Sequence, residues 1–159
     1  MLSPGKKPNL DFEVDALVGG RQVRAAFADL IEGPTVVSVW MRNNTSACDR
    51  QSAELGKAEK AVLKAGHRLV GVSRDGCASH AKYAAKHGYR YTLVSDPEDL
   101  FSKAVDAMVE KSMYGRKYTG PARAAYVLDD KGKLRAVIAK VDAAAHGRQV
   151  LEALAGLKG

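Results

Sequence analysis

The stretch Val36-Val37-Ser38-Val39-Trp40-Met41-Arg42-Asn43-Asn44-Thr45-Ser46-Ala47-Cys48-Asp49-Arg50-Gln51 changes character twice along its length. From Thr35 to Trp40 it is nearly all apolar and β-branched, which suits a central strand covered on both faces. A short polar loop follows. From Ser46 to Ala65 the pattern becomes helical: Leu55, Ala58, Val62 and Leu63 make one apolar stripe, while Glu54, Lys57, Glu59, Lys60 and Lys64 face water. Gly66 stands where a helix-ending glycine belongs. Cys48 therefore falls where a helix begins. The first turn of a helix carries unpaired N–H groups and partial positive charge. These favour thiolate over thiol, so Cys48 is a candidate nucleophile.

On either side, periodicity sets the remaining elements. Residues 1–9 read as an extended arm with Pro4, Gly5 and Pro8. Leu10, Phe12, Val14 and Ala16 alternate with acids, the pattern of a half-buried strand. Gly19-Gly20 turns the chain so that Gln22-Val23-Arg24 pairs back as a hairpin, and Ala25 to Ile31 is a short helical piece closed by Gly33-Pro34. Leu69-Val70-Gly71-Val72-Ser73 is a second buried strand. Asp75 or Gly76 caps a helix running to about His87, stopped by Gly88. Tyr91 to Ser95 is a third strand, and Asp96-Pro97-Glu98 opens another helix. Val109 to Ala122 is basic and Gly-rich and reads as an irregular loop over a site. Arg116, Lys117 and Tyr118 are read as its solvated part. Ala124 to Leu128 and Leu134 to Lys140 are strands joined by Asp129-Asp130-Lys131-Gly132, a hairpin turn. Val150, Leu151, Leu154 and Leu157 stripe a final helix.

Strands alternating with helices predict an α/β fold: a central mixed β-sheet flanked by helices, with an N-terminal β-hairpin. Residues 1–159 are read as a single domain. If strands 35–40 and 69–73 are parallel neighbours, their carboxyl ends share one sheet edge. Cys48 and Cys77 each follow one of those ends, at the edge where open α/β sheets place their sites.

Composition narrows the functional classes. The chain is 46% hydrophobic, with no apolar run long enough to span a bilayer and no h-region at its start, so the expectation is a cytoplasmic protein without membrane contact. Its 25 lysines and arginines exceed its 18 acids by +7, but the basic residues are dispersed among acids, and no nucleic-acid partner is expected. Two cysteines are too few for a disulfide scaffold and lack zinc-ligand spacing. His67, His80, His87 and His146 are scattered, so neither a metal nor another cofactor is expected. His80 is read as a surface cap near Cys77, and Tyr83 and Tyr91 as packing residues.

The ordered segments resemble the peroxiredoxins, specifically the PrxQ or bacterioferritin-comigratory class, over almost the whole chain. The family's active loop reads aromatic-Pro-x-x-x-Thr-x-x-Cys with a polar residue three further on. Trp40, Thr45, Cys48 and Gln51 stand at those places. Gly71-Val72-Ser73-Arg74-Asp75, Ser79-His80, Lys86-His87-Gly88, Leu93-Val94-Ser95-Asp96-Pro97, Glu110 to Arg116, Arg123, Lys140-Val141 and His146 follow in the family's order. The resemblance implies a thioredoxin-like fold and a thiol-dependent peroxidase. Cys48 would attack hydrogen peroxide or an organic hydroperoxide and become a sulfenic acid. Arg123 would keep the thiolate charged and hold the peroxide. Thr45 would accept the peroxide's hydrogen bond or orient it. Backbone N–H groups around Ala47 and Cys48 would stabilise the leaving oxygen, and Gln51 would brace the loop.

Met41 replaces the family's usual proline, and Ser46-Ala47 its common Pro-Gly. Ala53 and Ala84 stand where relatives carry a resolving cysteine. Cys77 is the resolving candidate in this chain; a small thiol or a partner such as thioredoxin is the alternative. The resemblance implies a monomer. A competing reading is a catalytically weak redox sensor or binding module, with Met41, Ser46 and Ala47 as signs of drift. A general thiol–disulfide oxidoreductase is disfavoured, because no Cys-x-x-Cys is present.

Overall fold

The computed structural model describes residues 1–157. In chain order the strands and helices are β1 (Glu13–Val18), β2 (Arg21–Ala26), β3 (Thr35–Val39), α1 (Ser46–Lys64), β4 (Arg68–Ser73), α2 (Cys77–His87), β5 (Thr92–Ser95), α3 (Leu100–Ala104), β6 (Met108–Met113), β7 (Arg116–Pro121), β8 (Ala124–Leu128), β9 (Leu134–Ile138) and α4 (His146–Gly156). A short 3-10 turn, Phe27–Leu30, stands where the helical piece before Gly33-Pro34 was expected.

Seven strands form one sheet in the order β2-β1-β5-β4-β3-β8-β9. β3, β4 and β5 run parallel. β1, β2, β8 and β9 join antiparallel. The parallel pairing of β3 with β4 puts their carboxyl ends on one edge, as the strand pattern predicts.

Strand alternation divides the interior. Val37 and Val39 face a core with Phe27, Phe101, Tyr126 and Leu128. Val36 and Trp40 face the other, with Leu55 and Val62 of α1, Tyr83 of α2, and Val150 and Leu154 of α4. Cys48 belongs to this second core. Ser38 shares the parity of Val36 and Trp40, so a buried hydroxyl points toward α1 and α4 and must find partners there.

Two glycines permit close approaches. A Cβ on Gly71 of β4 would lie 2.3 Å from Cη2 of Trp40, so only glycine leaves room for the indole. A Cβ on Gly147 would lie 2.8 Å from the Glu54 carbonyl oxygen, so glycine lets α4 close onto α1.

Three expectations are corrected. Residues 109–122 are not an irregular loop: β6 and β7 pair antiparallel in a separate two-stranded sheet. The turn is Tyr114-Gly115, with both residues at positive φ (51 and 75), the left-handed geometry of a tight hairpin. Helix α3 begins at Leu100 rather than at Asp96-Pro97-Glu98, because Asp99 takes a left-handed φ of 55. The Asp96 carboxylate reaches forward to accept from the Leu100 and Phe101 N–H groups at 2.8 and 2.9 Å. Leu63 of α1 is exposed, since the apolar stripe passes through Leu55, Ala58 and Val62.

Candidate active site

Trp40 continues the β3 ladder by donating its N–H to Val72 O at 3.0 Å, and then the chain leaves the sheet. The loop that follows is held by side chains. Trp40 Nε1 donates to Asn43 Oδ1 at 3.0 Å. The Asn43 N–H donates to Asp75 Oδ2 at 2.9 Å, and its amide nitrogen lies 3.1 Å from His80 Nδ1 and 3.3 Å from Ser79 Oγ. Ser73 Oγ also donates to Asp75. The loops after β3 and β4 are thus knitted together at the shared strand ends.

His80 is completely buried, which corrects its reading as a surface cap. Its Nε2 lies 3.0 Å from the Val94 carbonyl, which can only accept, so Nδ1 is free to accept from Asn43. Burial pushes the His80 pKa down, with the Val94 bond and Asp75 opposing.

Thr45 is the N-cap residue of α1 and is exposed. Its hydroxyl donates to Arg42 O at 3.1 Å. With that proton committed, the oxygen retains only acceptor capacity, as the expected role toward a peroxide requires. The first N–H to close a helical turn is that of Asp49, which donates to Thr45 O at 2.8 Å. The N–H groups of Ser46, Ala47 and Cys48 therefore have no acceptor within the helix. Asp49 adds a carboxylate to this positive end. It accepts from the Asn44 N–H at 2.9 Å and from the Tyr83 hydroxyl at 2.6 Å. Cys48, on the first turn, is a free and buried thiol.

Arg123 enters from the residue before β8. Its Nη2 donates to Ala47 O at 3.2 Å, and its Nε and Nη2 donate to Gln51 Oε1 at 3.3 and 3.2 Å. Ala47 thus contributes a carbonyl that holds the arginine, besides the N–H expected of it. Gln51 is completely buried, and its amide donates to Ser38 Oγ at 2.8 Å and Val39 O at 3.1 Å. A neutral amide steers the guanidinium without cancelling its charge, which stays available to an anion beside Ala47.

Lys111 was not singled out by the sequence. It lies on β6, whose strand character was read as loop, and its ammonium contacts Met41 Sδ. Burial lowers its pKa, as do Arg123 and Arg74, while Cys48 and Asp99 pull it back up. A second cation thus contacts Met41, the residue that stands where the family has proline. Arg74 is held nearby by a forked pair with Asp99.

Cys77 begins α2 and is also free and buried. Burial pushes its thiol pKa up, and Asp15 of β1 adds to the effect. Helix α2 packs against β1 and β5, whereas Cys48 lies in the same core as Trp40. Both cysteines occupy the predicted edge, in different surroundings.

A seven-stranded mixed sheet with a buried cysteine at a helix start, and an arginine gripping the preceding residue, defines a thioredoxin-like thiol protein. The chain matches the AhpC/TSA family over residues 6–137. It is 33% identical over 119 residues to peroxiredoxin Bcp of Xanthomonas campestris pv. campestris, covering 75% of this chain and 74% of that protein. The solved structure of the X. campestris bacterioferritin comigratory protein, studied for alkyl peroxide reduction, superposes with a TM-score of 0.85 at 26% identity. That match covers 99% of this chain and 100% of the other. The Xylella fastidiosa PrxQ structure gives a TM-score of 0.86 at 23% identity, covering 100% and 99%, which supports the fold. The chain belongs to the AhpC/TSA family, in its PrxQ or bacterioferritin-comigratory class of peroxiredoxins.

Proposed function

We propose that this peroxiredoxin reduces hydrogen peroxide and organic hydroperoxides at Cys48. The observation that carries the reading is the Arg123 guanidinium, bonded at once to Ala47 O and Gln51 Oε1 beside a cysteine on the first helical turn. The Cys48 thiolate attacks the terminal peroxide oxygen. The S–O bond forms as the O–O bond breaks, leaving a sulfenic acid, and the departing alkoxide or hydroxide takes a proton to leave as alcohol or water. Arg123 and the free N–H groups of the first turn stabilise the negative charge as it moves to the leaving oxygen. Thr45 Oγ1 accepts the hydrogen bond of the peroxide O–H.

Cys77 or an external thiol then attacks the sulfenic sulfur, forming a disulfide and releasing water, and thiol–disulfide exchange with a reductant such as thioredoxin returns Cys48 to the thiol. Attack by Cys77 requires its buried thiol, at the start of α2, to become accessible to the Cys48 sulfur. A disulfide needs Cα atoms within about 7 Å, and a buried thiol with a raised pKa is a poor nucleophile until exposed. The test is peroxide consumption by wild type and Cys48→Ser with thioredoxin and its reductase or a small thiol. Peroxide consumption that vanishes in Cys48→Ser supports the reading. A wild-type Cys48 oxidised no faster than a free thiol replaces it with the sensor reading.

A further inference from the structure

Beyond Gln51 the polar chain continues across the whole helical layer. Ser38 Oγ, on the central strand β3, lies 3.0 Å from His146 Nε2, and His146 Nδ1 lies 3.0 Å from Gln149 Oε1. Ser38, Gln51 and His146 are all completely buried. Gln149 is anchored in turn: its amide nitrogen donates to Lys140 O at 3.1 Å, and its Oε1 accepts the Asp142 N–H at 3.1 Å.

The bond directions follow from chemistry. Gln149 Oε1 can only accept, so His146 carries its proton on Nδ1. In neutral imidazole Nε2 is then an acceptor, and the Ser38 hydroxyl must donate to it. Ser38 Oγ thereby presents its lone pairs to the Gln51 amide, which together with the Val39 carbonyl sets Gln51 with its oxygen toward Arg123. A reversed Gln51 would set N–H groups against the guanidinium. Burial keeps His146 neutral by lowering its pKa; the Gln149 bond opposes this and Arg123 adds to it.

We infer that His146 and Ser38 are positioning residues for the peroxidase reaction, orienting Gln51 so that it aims Arg123 at the reacting centre. This link rests on the peroxidase reading above. It ties the C-terminal helix α4 to the chemistry at the start of α1, through the residue next to the glycine that lets the two helices touch.

The test is a double-mutant cycle on the second-order rate of Cys48 oxidation by hydrogen peroxide. His146→Leu is expected to lower the rate about ten- to hundredfold, the scale of a misplaced catalytic group. His146→Gln, whose Oε1 can accept from Ser38, is expected to restore most of the rate, which apolar packing would not do. In an Arg123→Ala background, His146→Leu is expected to change the rate by no more than about twofold, the scatter of independent sites. Ser38→Ala runs the same cycle should His146→Leu fail to fold. An unchanged rate in both single variants, or losses that persist in full without Arg123, overturns the inference. A wild type inert to peroxide overturns the peroxidase reading at the first step, whereas an active wild type with additive losses overturns the positioning link alone.

Discussion

At the scale of single residues, the site depends on donors that have somewhere to point. Arg123 spends Nε and Nη2 on two acceptors that neither repel it nor neutralise it, Ala47 O and Gln51 Oε1. Lysine carries the charge but has no planar fork to satisfy both oxygens in that geometry. Arg123→Lys is therefore expected to slow Cys48 oxidation on the order of 10²-fold, comparable to losing a charge-stabilising donor, with little change in melting temperature. Stopped-flow oxidation and a thermal melt check the two halves of that statement. Cys48, Thr45, Gln51 and Arg123 were legible in the sequence as candidates because each has a fixed place in a recurring pattern. It did not show Asn43, Ser38 or Lys111 as parts of the site. Their roles come from strand parity and from loop-to-loop bonds, and neither is periodic. Tyr126 of β8 is a different kind of residue: its hydroxyl is buried with no partner among the described residues. Tyr126→Phe removes that unmet polar group and is expected to stabilise the protein by about 1 kcal/mol, read as a higher urea midpoint.

At the scale of elements, the strand ends do the positioning. Gly71 of β4 admits the Trp40 ring, Trp40 holds Asn43, and Asn43 joins the β3 loop to the start of α2. Gly71→Ala is expected to cost about 1–3 kcal/mol through overpacking. It should also loosen the Cys48 loop, so limited proteolysis near Asn44 should accelerate. An unchanged urea midpoint would show that the indole is not confined there. Resolution by Cys77, at the start of α2, would give a second kinetic phase in the same region. Cys77→Ser is expected to leave the peroxide-dependent phase intact and remove a slower, peroxide-independent one that consumes the second thiol. Persistence of the slow phase excludes Cys77 as the resolving thiol. The strands of the main sheet and the three longer helices, α1, α2 and α4, were legible from the sequence. The β6–β7 hairpin was not, because Tyr114-Gly115 lacks an Asn-Gly or Asp-Gly signature and the exposed strands carry mixed charges. The start of α3 slid because Asp99, not Asp96, takes the left-handed turn.

At the scale of the whole molecule, two buried imidazoles couple the site to stability. His80 joins the two active-edge loops and His146 joins α4 to α1's polar network, and burial lowers the pKa of both. Each is neutral when folded at a pH where its unfolded counterpart, near 6.5, begins to protonate. The unfolded chain then binds more protons, so stability falls as pH drops through about 6.5 and stops falling beneath the folded values. Asp96, raised by burial, works in the opposite sense at lower pH. The expected result is a urea midpoint lower at pH 5.5 than at pH 7.5, with a shallower dependence in His80→Gln. Equal midpoints at the two pH values would contradict it. The layering of helices on a mixed sheet was readable in advance. The buried polar thread through that layer was not, because a serine in a strand and a histidine opening a helix are unremarkable until the fold brings them together.

The sole tryptophan, Trp40, is completely buried in the same core as Cys48, so its fluorescence is a built-in probe of that core. Stopped-flow fluorescence of the reduced protein mixed with hydrogen peroxide tests the central claim most directly. The expected result is a transient whose rate rises linearly with peroxide, far above that of a free thiol, and which is absent in Cys48→Ser. A transient that survives in Cys48→Ser, or a wild-type rate no greater than that of free cysteine at the same pH, would contradict it.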